Sequence, residues 1–320
     1  MYLDAGGERI EDPEVLARIR ELGIPPAWKD VWICSDERGH LQATGSDAAG
    51  RKQYRYHDAW RTRRDGEKFE DMIRFARALP KLRRRVDHDL VDCRGLDRRC
   101  VLACAVRLLE RGFFRIGSEE YALENESYGL ATMRKSHVTL AADCEMVFDY
   151  PAKSGQRRIQ AIVDPQAGEV VAALKRRRGG GEELLAYKEG RRWRDLRSED
   201  INAYIKDATG DDFSAKDFRT WNATVLAAVA LSVSGRVAGS PTGRKRAISR
   251  AVKEVAHYLG NTPAVCRASY IDPRVFDAYR SGEVLDRTVI ERALEGDDLP
   301  IHHREMEAAV LALIADYSSG

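Results

Sequence analysis

The sequence predicts an α+β protein: a small β-meander unit with flanking helices, then a larger, mainly helical domain that carries a small antiparallel sheet. Three observations lead there. Short strand-like runs separated by Gly-containing turns cluster before residue 57, and helix-period runs with good caps dominate after residue 198. The chain is 320 residues long, 43% hydrophobic and 32% charged, which suits one large or two modest packed domains.

The elements follow in order. Residues 12–22 read as a helix, with Val15, Leu16, Ile19 and Leu22 on one side and Gly23 stopping it. Pro25-Pro26 breaks the chain. Strands are expected over 31–34, 40–44 and 52–56, joined by turns at 35–39 and around Gly50. Residues 67–79 form an amphipathic helix that Pro80 should close, and the basic stretch 81–88 is read as a linker. The domains are therefore expected at 1–80 and 81–320. A helix over 96–110 ends at Gly112, followed by strands near 129–139, 144–150, 158–164 and 184–187. Helices are then expected from Ser198, a good N-cap, and over 215–233, 241–259, 263–269, 273–280 and 304–316. Pro241 and Pro263 occupy first-turn positions behind Ser240 and Thr262. The Arg176–Gly181 run, three arginines and three glycines, is expected to be a mobile loop.

Composition excludes several classes. No run of 18 apolar residues suggests a membrane span, and the N-terminus has no basic segment leading into an apolar one, so a cytoplasmic protein is expected. The six cysteines form no zinc-like spacing and are read as buried thiols of a reducing compartment. Nothing matches a phosphate-cradling GxxxxGK[ST] loop, and no acidic or histidine motif suggests a catalytic metal, so neither ATP nor a metal cofactor is expected. Net charge is only +2, but it is unevenly spread: Arg51–Arg85 holds 13 Lys/Arg against 5 Asp/Glu, whereas the stretch from Asp272 onward is acidic. Such polarity suits a polyanionic partner as well as it suits a solvated helix.

What remains is a scattered set of cations and one C-terminal tyrosine. A helix ends in Leu259-Gly260-Asn261-Thr262-Pro263, and Tyr270 follows nine residues after Asn261. Lys216-Asp217-Phe218-Arg219-Thr220-Trp221 opens an earlier helix. Phe113-Phe114-Arg115-Ile116-Gly117 precedes a segment from Glu124 to Val138, and Ala152-Lys153-Ser154-Gly155-Gln156 displays a lysine between two strands. In the N-terminal unit, Ile24-Pro25-Pro26-Ala27-Trp28, Gly39–Gly45 and Gly50-Arg51-Lys52-Gln53-Tyr54-Arg55-Tyr56-His57 complete the pattern.

In order and spacing, over nearly the whole chain, these segments resemble the type IB DNA topoisomerases, specifically the small poxvirus-like branch found in bacteria. The resemblance implies a tyrosine-recombinase-like catalytic domain that closes with the N-terminal unit as a clamp on double-stranded DNA, and a monomer without an obligate protein partner. It implies Tyr270 as nucleophile, with Arg115, Lys153, Arg219 and Asn261 as the other catalytic residues. The residue types fit. Two arginines can clamp the non-bridging oxygens of a phosphodiester, and neighbouring cations favour a phenolate. Lysine can protonate a leaving hydroxyl. The family often places His where this chain has Asn261; a neutral amide still donates a hydrogen bond but carries no charge.

Candidate DNA contacts are Gln42, Arg51, Lys52, Tyr54 and Tyr56, the last three on alternate positions of one strand face, together with Tyr121, Lys135 and Lys216. His137 is read as a structural histidine. Two alternatives stay open. A site-specific tyrosine recombinase shares the Arg, Lys, Arg and Tyr scheme, although it usually carries His where this chain has Lys216 and has a helical N-terminal half. The other alternative is a DNA-binding protein whose site has decayed.

Overall fold

The computed structural model describes residues 1–93, 95–142, 144–234, 240–295 and 300–317, with the side chains of Tyr121 and Pro300 outside it. The chain divides into two compact units, Met1–Glu70 and Asp71–Gly320. None of the described helices is long and apolar enough to cross a membrane.

The first unit begins with α1 (Pro13–Glu21), whose N-cap Asp12 accepts from the amides of Glu14 and Val15. Strands β1 (Lys29–Ile33), β2 (Leu41–Ser46) and β3 (Lys52–Tyr56) form the expected antiparallel meander. Thr44 pairs with Trp32 on one side and Tyr54 on the other. Gly45 is required here: a Cβ would sit 2.9 Å from the Trp28 ring and 3.2 Å from the Lys29 carbonyl.

Helix α2 (Asp58–Val91) corrects two expectations, because it runs through Pro80 and leaves no linker over 81–88. Proline in a helix interior costs about 3 kcal/mol. The apolar period carries on past it, and Leu79, Leu82, Val86 and Leu90 are all buried, so packing outweighs the lost backbone bond.

The second unit is built around α3 (Arg98–Gly112), buried along almost its whole length. After α4 (Glu119–Asn125), the expected 129–139 strand is instead two single 3₁₀ turns, and only β4 (Val138–Leu140) is strand. It joins β5 (Glu145–Ala152) and β6 (Gln156–Val163) in an antiparallel sheet. Helix α5 (Pro165–Arg176) and the hairpin of β7 (Ala186–Glu189) and β8 (Arg192–Asp195) follow. The remaining described elements are helices, among them α6 (Ser198–Thr209), α7 (Ala215–Val233), α8 (Pro241–Leu259), α9 (Pro263–Ser269), α10 (Pro273–Ser281), α11 (Arg287–Glu295) and α12 (Arg304–Ala315). α3 packs against α5, α6, α7 and β6, and α7 packs against α8, α10 and α12. Phe75 meets Phe213 and Phe218 edge-on at 5.4 and 4.9 Å.

A buried charge network crosses this core. Arg83 donates to both oxygens of Glu307 at 2.6 and 2.7 Å and to Glu110 at 2.5 Å, while Trp221 Nε1 donates to Glu307 at 3.0 Å. Two further expectations are corrected. Cys93 and Cys100 form a disulfide rather than free thiols, brought together where α3 starts. Cys104 and Cys266 are buried thiols, as expected. Arg177, expected in a mobile loop, is instead a buried tie. Its guanidinium donates to the carbonyls of Leu174 (3.0 Å) and Leu184 (2.8 Å) and lies 5.5 Å from the Trp193 ring.

Candidate active site

Four of the five expected catalytic residues converge in the second unit. α3 ends with Phe113 in the left-handed conformation, which turns the chain so that Arg115 points away from the helix. Its guanidinium donates to the Gly260 carbonyl at 2.7 Å and to Asn261 Oδ1. Arg219, in the second turn of α7, is only 4% exposed. It donates to the Leu259 carbonyl at 2.9 Å and to the Phe113 carbonyl. Both arginines are thus tied to the turn that ends α8, by carbonyls that α8 itself leaves without helical partners.

That turn is set by sequence chemistry. Gly260 takes φ 60° as the C-cap of α8, and Thr262 caps α9 through a bond from the Val265 amide. Tyr270 ends α9, its amide bonded to the Cys266 carbonyl at 3.0 Å. Its ring lies 5.3 Å from the Arg219 guanidinium. Thr224 of α7 accepts from the Asp272 amide at 3.1 Å, which fastens the chain just beyond the tyrosine to the helix that carries Arg219.

The electrostatics follow from this packing. Burial alone would raise the Tyr270 phenol, but the charge and hydrogen bonding of Arg219, the charge of Arg115 and the nearby Asn261 amide together hold it below its usual value. Burial and the neighbouring Arg115 charge lower Arg219 to about 10, so it still carries its proton at neutral pH. Asn261 Nδ2 and Arg219 Nε are buried and close no hydrogen bond with a described residue. They are desolvated donors beside a phenol, which suits an incoming anionic oxygen.

Lys153 is not tied to this cluster. It sits at the exposed tip between β5 and β6, where Ser154 and Gly155 both have positive φ, and it makes no hydrogen bond or ion pair with a described residue. Sequence reasoning missed Arg158, which connects β6 to the cluster. Its two terminal nitrogens donate to the carbonyls of His257 (2.8 Å) and Tyr258 (2.5 Å), and its guanidinium fills the space beneath Gly260. The available signal was strand alternation: exposed Arg157 pairs with Asp149 on one face, so Arg158 must face the other way.

The expected DNA contacts divide. Lys52, Tyr54 and Tyr56 do share a face. Tyr54 is 49% exposed and stacks on Tyr56 at 6.1 Å, and Tyr56 stacks on Trp60 at 4.5 Å. Lys52 and Arg64 sit 5.9 and 5.8 Å from the outer rings, making a ladder that ends in cations on both sides. Trp60, on α2, was missed because it joins this row only through the strand-to-helix turn.

Gln42 is a correction. It is 3% exposed and faces inward, accepting from Arg18 at 2.8 Å and donating to the Gly39 carbonyl at 2.6 Å. Arg51 is exposed but paired with Asp47 at 2.8 Å. Lys216 is exposed, and Lys135 half-buried. The Tyr121 side chain lies outside the described residues. His137 accepts from the Arg134 amide at 3.2 Å and packs edge-on against Tyr128 at 4.6 Å, and burial lowers its pKa, all in keeping with a structural role.

Residues 57–282 match a family model described as the catalytic core of eukaryotic DNA topoisomerase I, and residues 1–47 match the N-terminal domain of bacterial DNA topoisomerase IB. The chain is similar to DNA topoisomerase 1B of Acanthamoeba polyphaga mimivirus, 31% identical over 281 residues that span 83% of this chain and 80% of that protein. It is also similar to DNA topoisomerase I of Monkeypox virus and DNA topoisomerase 1B of Vaccinia virus (strain Copenhagen). Each is 21% identical over 277 residues, covering 85% of this chain and 83% of the relative.

Proposed function

From the premise that the chain belongs to the type IB DNA topoisomerases, we propose that it relaxes supercoiled duplex DNA through a transient single-strand break carried on Tyr270. The Tyr270 oxygen attacks a backbone phosphorus and forms a 3′-phosphotyrosyl bond as the bond to the 5′ oxygen breaks. The phenol gives its proton to solvent, and Lys153 protonates the departing 5′ oxygen. Arg115 and Arg219 hold the non-bridging oxygens, whose negative charge grows in the transition state, and the Asn261 Nδ2 donates to one of them. After the free end has rotated about the intact strand, the 5′ hydroxyl attacks the same phosphorus and releases Tyr270. One phosphodiester is exchanged for another, so religation needs neither ATP nor a metal.

The observation that carries this reading is the position of Arg219. It is nearly fully buried against the Tyr270 ring, while Arg115 reaches the same turn through Asn261. A buried guanidinium without a carboxylate partner is costly, and an anionic substrate supplies what it lacks. Lys153 stands apart on an exposed tip, which suits a residue that DNA draws in. In the N-terminal unit the Lys52, Tyr54, Tyr56 and Trp60 row supplies cation and aromatic contacts for the duplex. The protein acts as a monomer on chromosomal DNA in the cytoplasm.

The test is relaxation of negatively supercoiled plasmid in EDTA without ATP, with denaturant trapping of the covalent adduct. The wild-type chain is expected to relax the plasmid and form the adduct, and Tyr270→Phe to do neither. Relaxation by Tyr270→Phe, or loss of wild-type relaxation in EDTA, would overturn the mechanism.

A further inference from the structure

The charge run that the sequence makes conspicuous is largely neutralised in the fold. Along α2, Arg61 pairs with Asp58, Arg63 and Arg64 with Glu67, Lys68 with Asp65 and Arg74 with Asp71. Arg83 and Arg85 are spent on Glu110, Glu307 and Asp89. The exposed arginines of α10 and α11 are paired too: Arg280 with Asp277, Arg287 with Glu291 and Arg292 with Glu305.

α8 is different. Its core side presents Ile248, Val252, Val255 and Leu259, all buried. On the opposite side stand Arg246, Arg250, Lys253 and His257, at positions i, i+4, i+7 and i+11. At 100° per residue these four fall within about 60° of arc, and at 1.5 Å per residue they span about 16 Å of helix axis. All four are exposed, and none of their side chains makes an ion pair or hydrogen bond with a described residue. The one acid on α8, Glu254, lies on the flank of the row and makes no ion pair with any of the four. The row also runs straight into the active-site turn. His257 is three residues from Gly260, and its own carbonyl is held by Arg158.

We propose that this face of α8 is a second contact surface for duplex DNA, binding backbone phosphates that flank the one attacked by Tyr270. The proposal rests on the topoisomerase reading and extends its footprint. Phosphates repeat every 3.4 Å of axis along one strand, so a row of about 16 Å matches roughly five of them. Unpaired exposed cations pay little desolvation on meeting phosphate and release condensed counterions. The already paired cations of α2, α10 and α11 would first have to give up a carboxylate. Charge, linear spacing and continuity with the catalytic turn therefore point to the same occupant.

The experiment measures binding of a short duplex across a salt series, with the full chain carrying Tyr270→Phe so that no cleavage intervenes. Against it stands the same chain with Arg246→Gln, Arg250→Gln and Lys253→Gln. Each lost phosphate contact should lower the slope of log K against log salt by about 0.9, so the triple change should remove about 2 to 3 from the slope and weaken low-salt binding at least tenfold. Arg246→Lys with Arg250→Lys should keep the slope. A control triple on the paired cations, Arg280→Gln, Arg287→Gln and Arg292→Gln, should leave it unchanged.

An unchanged slope in the α8 triple overturns the proposal, as does an equal fall in the control, which would reduce the effect to net charge. With Tyr270 restored, adduct formation at saturating α8-triple protein should stay within twofold of wild type. A large loss there would assign the face to catalysis instead and overturn the proposal as well. If wild type forms no adduct, the catalytic reading itself has failed; the slope then reports the surface independently.

Discussion

Replacing Gly260 by alanine tests how the catalytic turn is held. At φ 60° any side chain is strained, and the added Cβ would lie 2.9 Å from Arg158 Nη1, 3.1 Å from its Cζ and 3.2 Å from its Cδ. An arginine tip ordinarily swings aside at little cost. Here it is pinned by two carbonyls, so making room means breaking those bonds. The left-handed conformation costs an alanine about 1 kcal/mol relative to glycine. Losing the pinned guanidinium adds about 2 kcal/mol, less than two buried charge-assisted bonds would contribute because Arg158 is only half-buried and solvent screens it. Gly260→Ala should therefore destabilise the catalytic unit by about 3 kcal/mol, a fall in Tm of roughly 6–12 °C for a unit of this size.

Arg158→Ala alone should cost about 2 kcal/mol, and the double variant about 3 rather than 5, because alanine at 260 no longer meets a guanidinium. Thermal unfolding of the four proteins gives the coupling directly. Denaturant-trapped adduct formation should slow at least tenfold in Gly260→Ala, since Asn261 follows the displaced glycine and is Arg115's partner. Additive losses, or a cost for Gly260→Ala under about 1 kcal/mol, would refute the idea that Arg158 and Gly260 form one fitted joint.

Asn261→Ala removes a donor but no charge, so adduct formation should slow by about ten- to a hundredfold, the equivalent of one charge-assisted hydrogen bond, while duplex affinity stays near wild type. Because Arg219 and Arg115 hold the Tyr270 phenol below its ordinary 10, the single-turnover cleavage rate should rise with pH and level off before 10; Arg115→Gln should shift the plateau upward. Burial would raise Glu110, but Arg83 pulls it below its ordinary 4.5 in the folded state. Its stabilisation is then complete above about 4.5 and drains as the pH falls through the lower folded value. The Tm of the catalytic unit should drop steeply over that acid range, and a Glu110→Gln variant should show a shallower drop.

Much of this molecule was legible because local chemistry and tertiary packing agree. The meander over β1 to β3 follows alternation and turn residues, and α7 to α10 begin where Ser, Thr or Asp caps mark them, with first-turn prolines in α8, α9 and α10. The resemblance carried Arg115, Arg219, Asn261 and Tyr270 to one place, and they do meet. Failures arose where a distant partner outweighs a local rule. Pro80 did not end α2, because buried Leu82, Val86 and Leu90 hold the helix beyond it. The 129–139 segment looked like strand but folds mostly as 3₁₀ turns whose backbone bonds go elsewhere: the Leu130 and Ala131 amides to the carbonyls of Arg115 and Ile116, and the Lys135 amide to Glu182. Arg177 looked like part of a loose basic loop, yet four carbonyls lie within reach of its guanidinium.

By itself the sequence determined the class of protein, the two-part order of its elements and the residue types of its chemistry, since periodicity, caps and motif order are properties of neighbours along a chain. Which charges are free was decided only by tertiary structure. Arg51, Arg61 and Arg63 look as available as Arg246 and Arg250 in one dimension; folding gives the first three a carboxylate and leaves the last two facing solvent. The same holds for Gln42, turned inward, and for Arg158, set beneath a glycine from 102 residues away. A side chain's electrostatic role depends on the groups within a few ångströms of it, and those are fixed by packing.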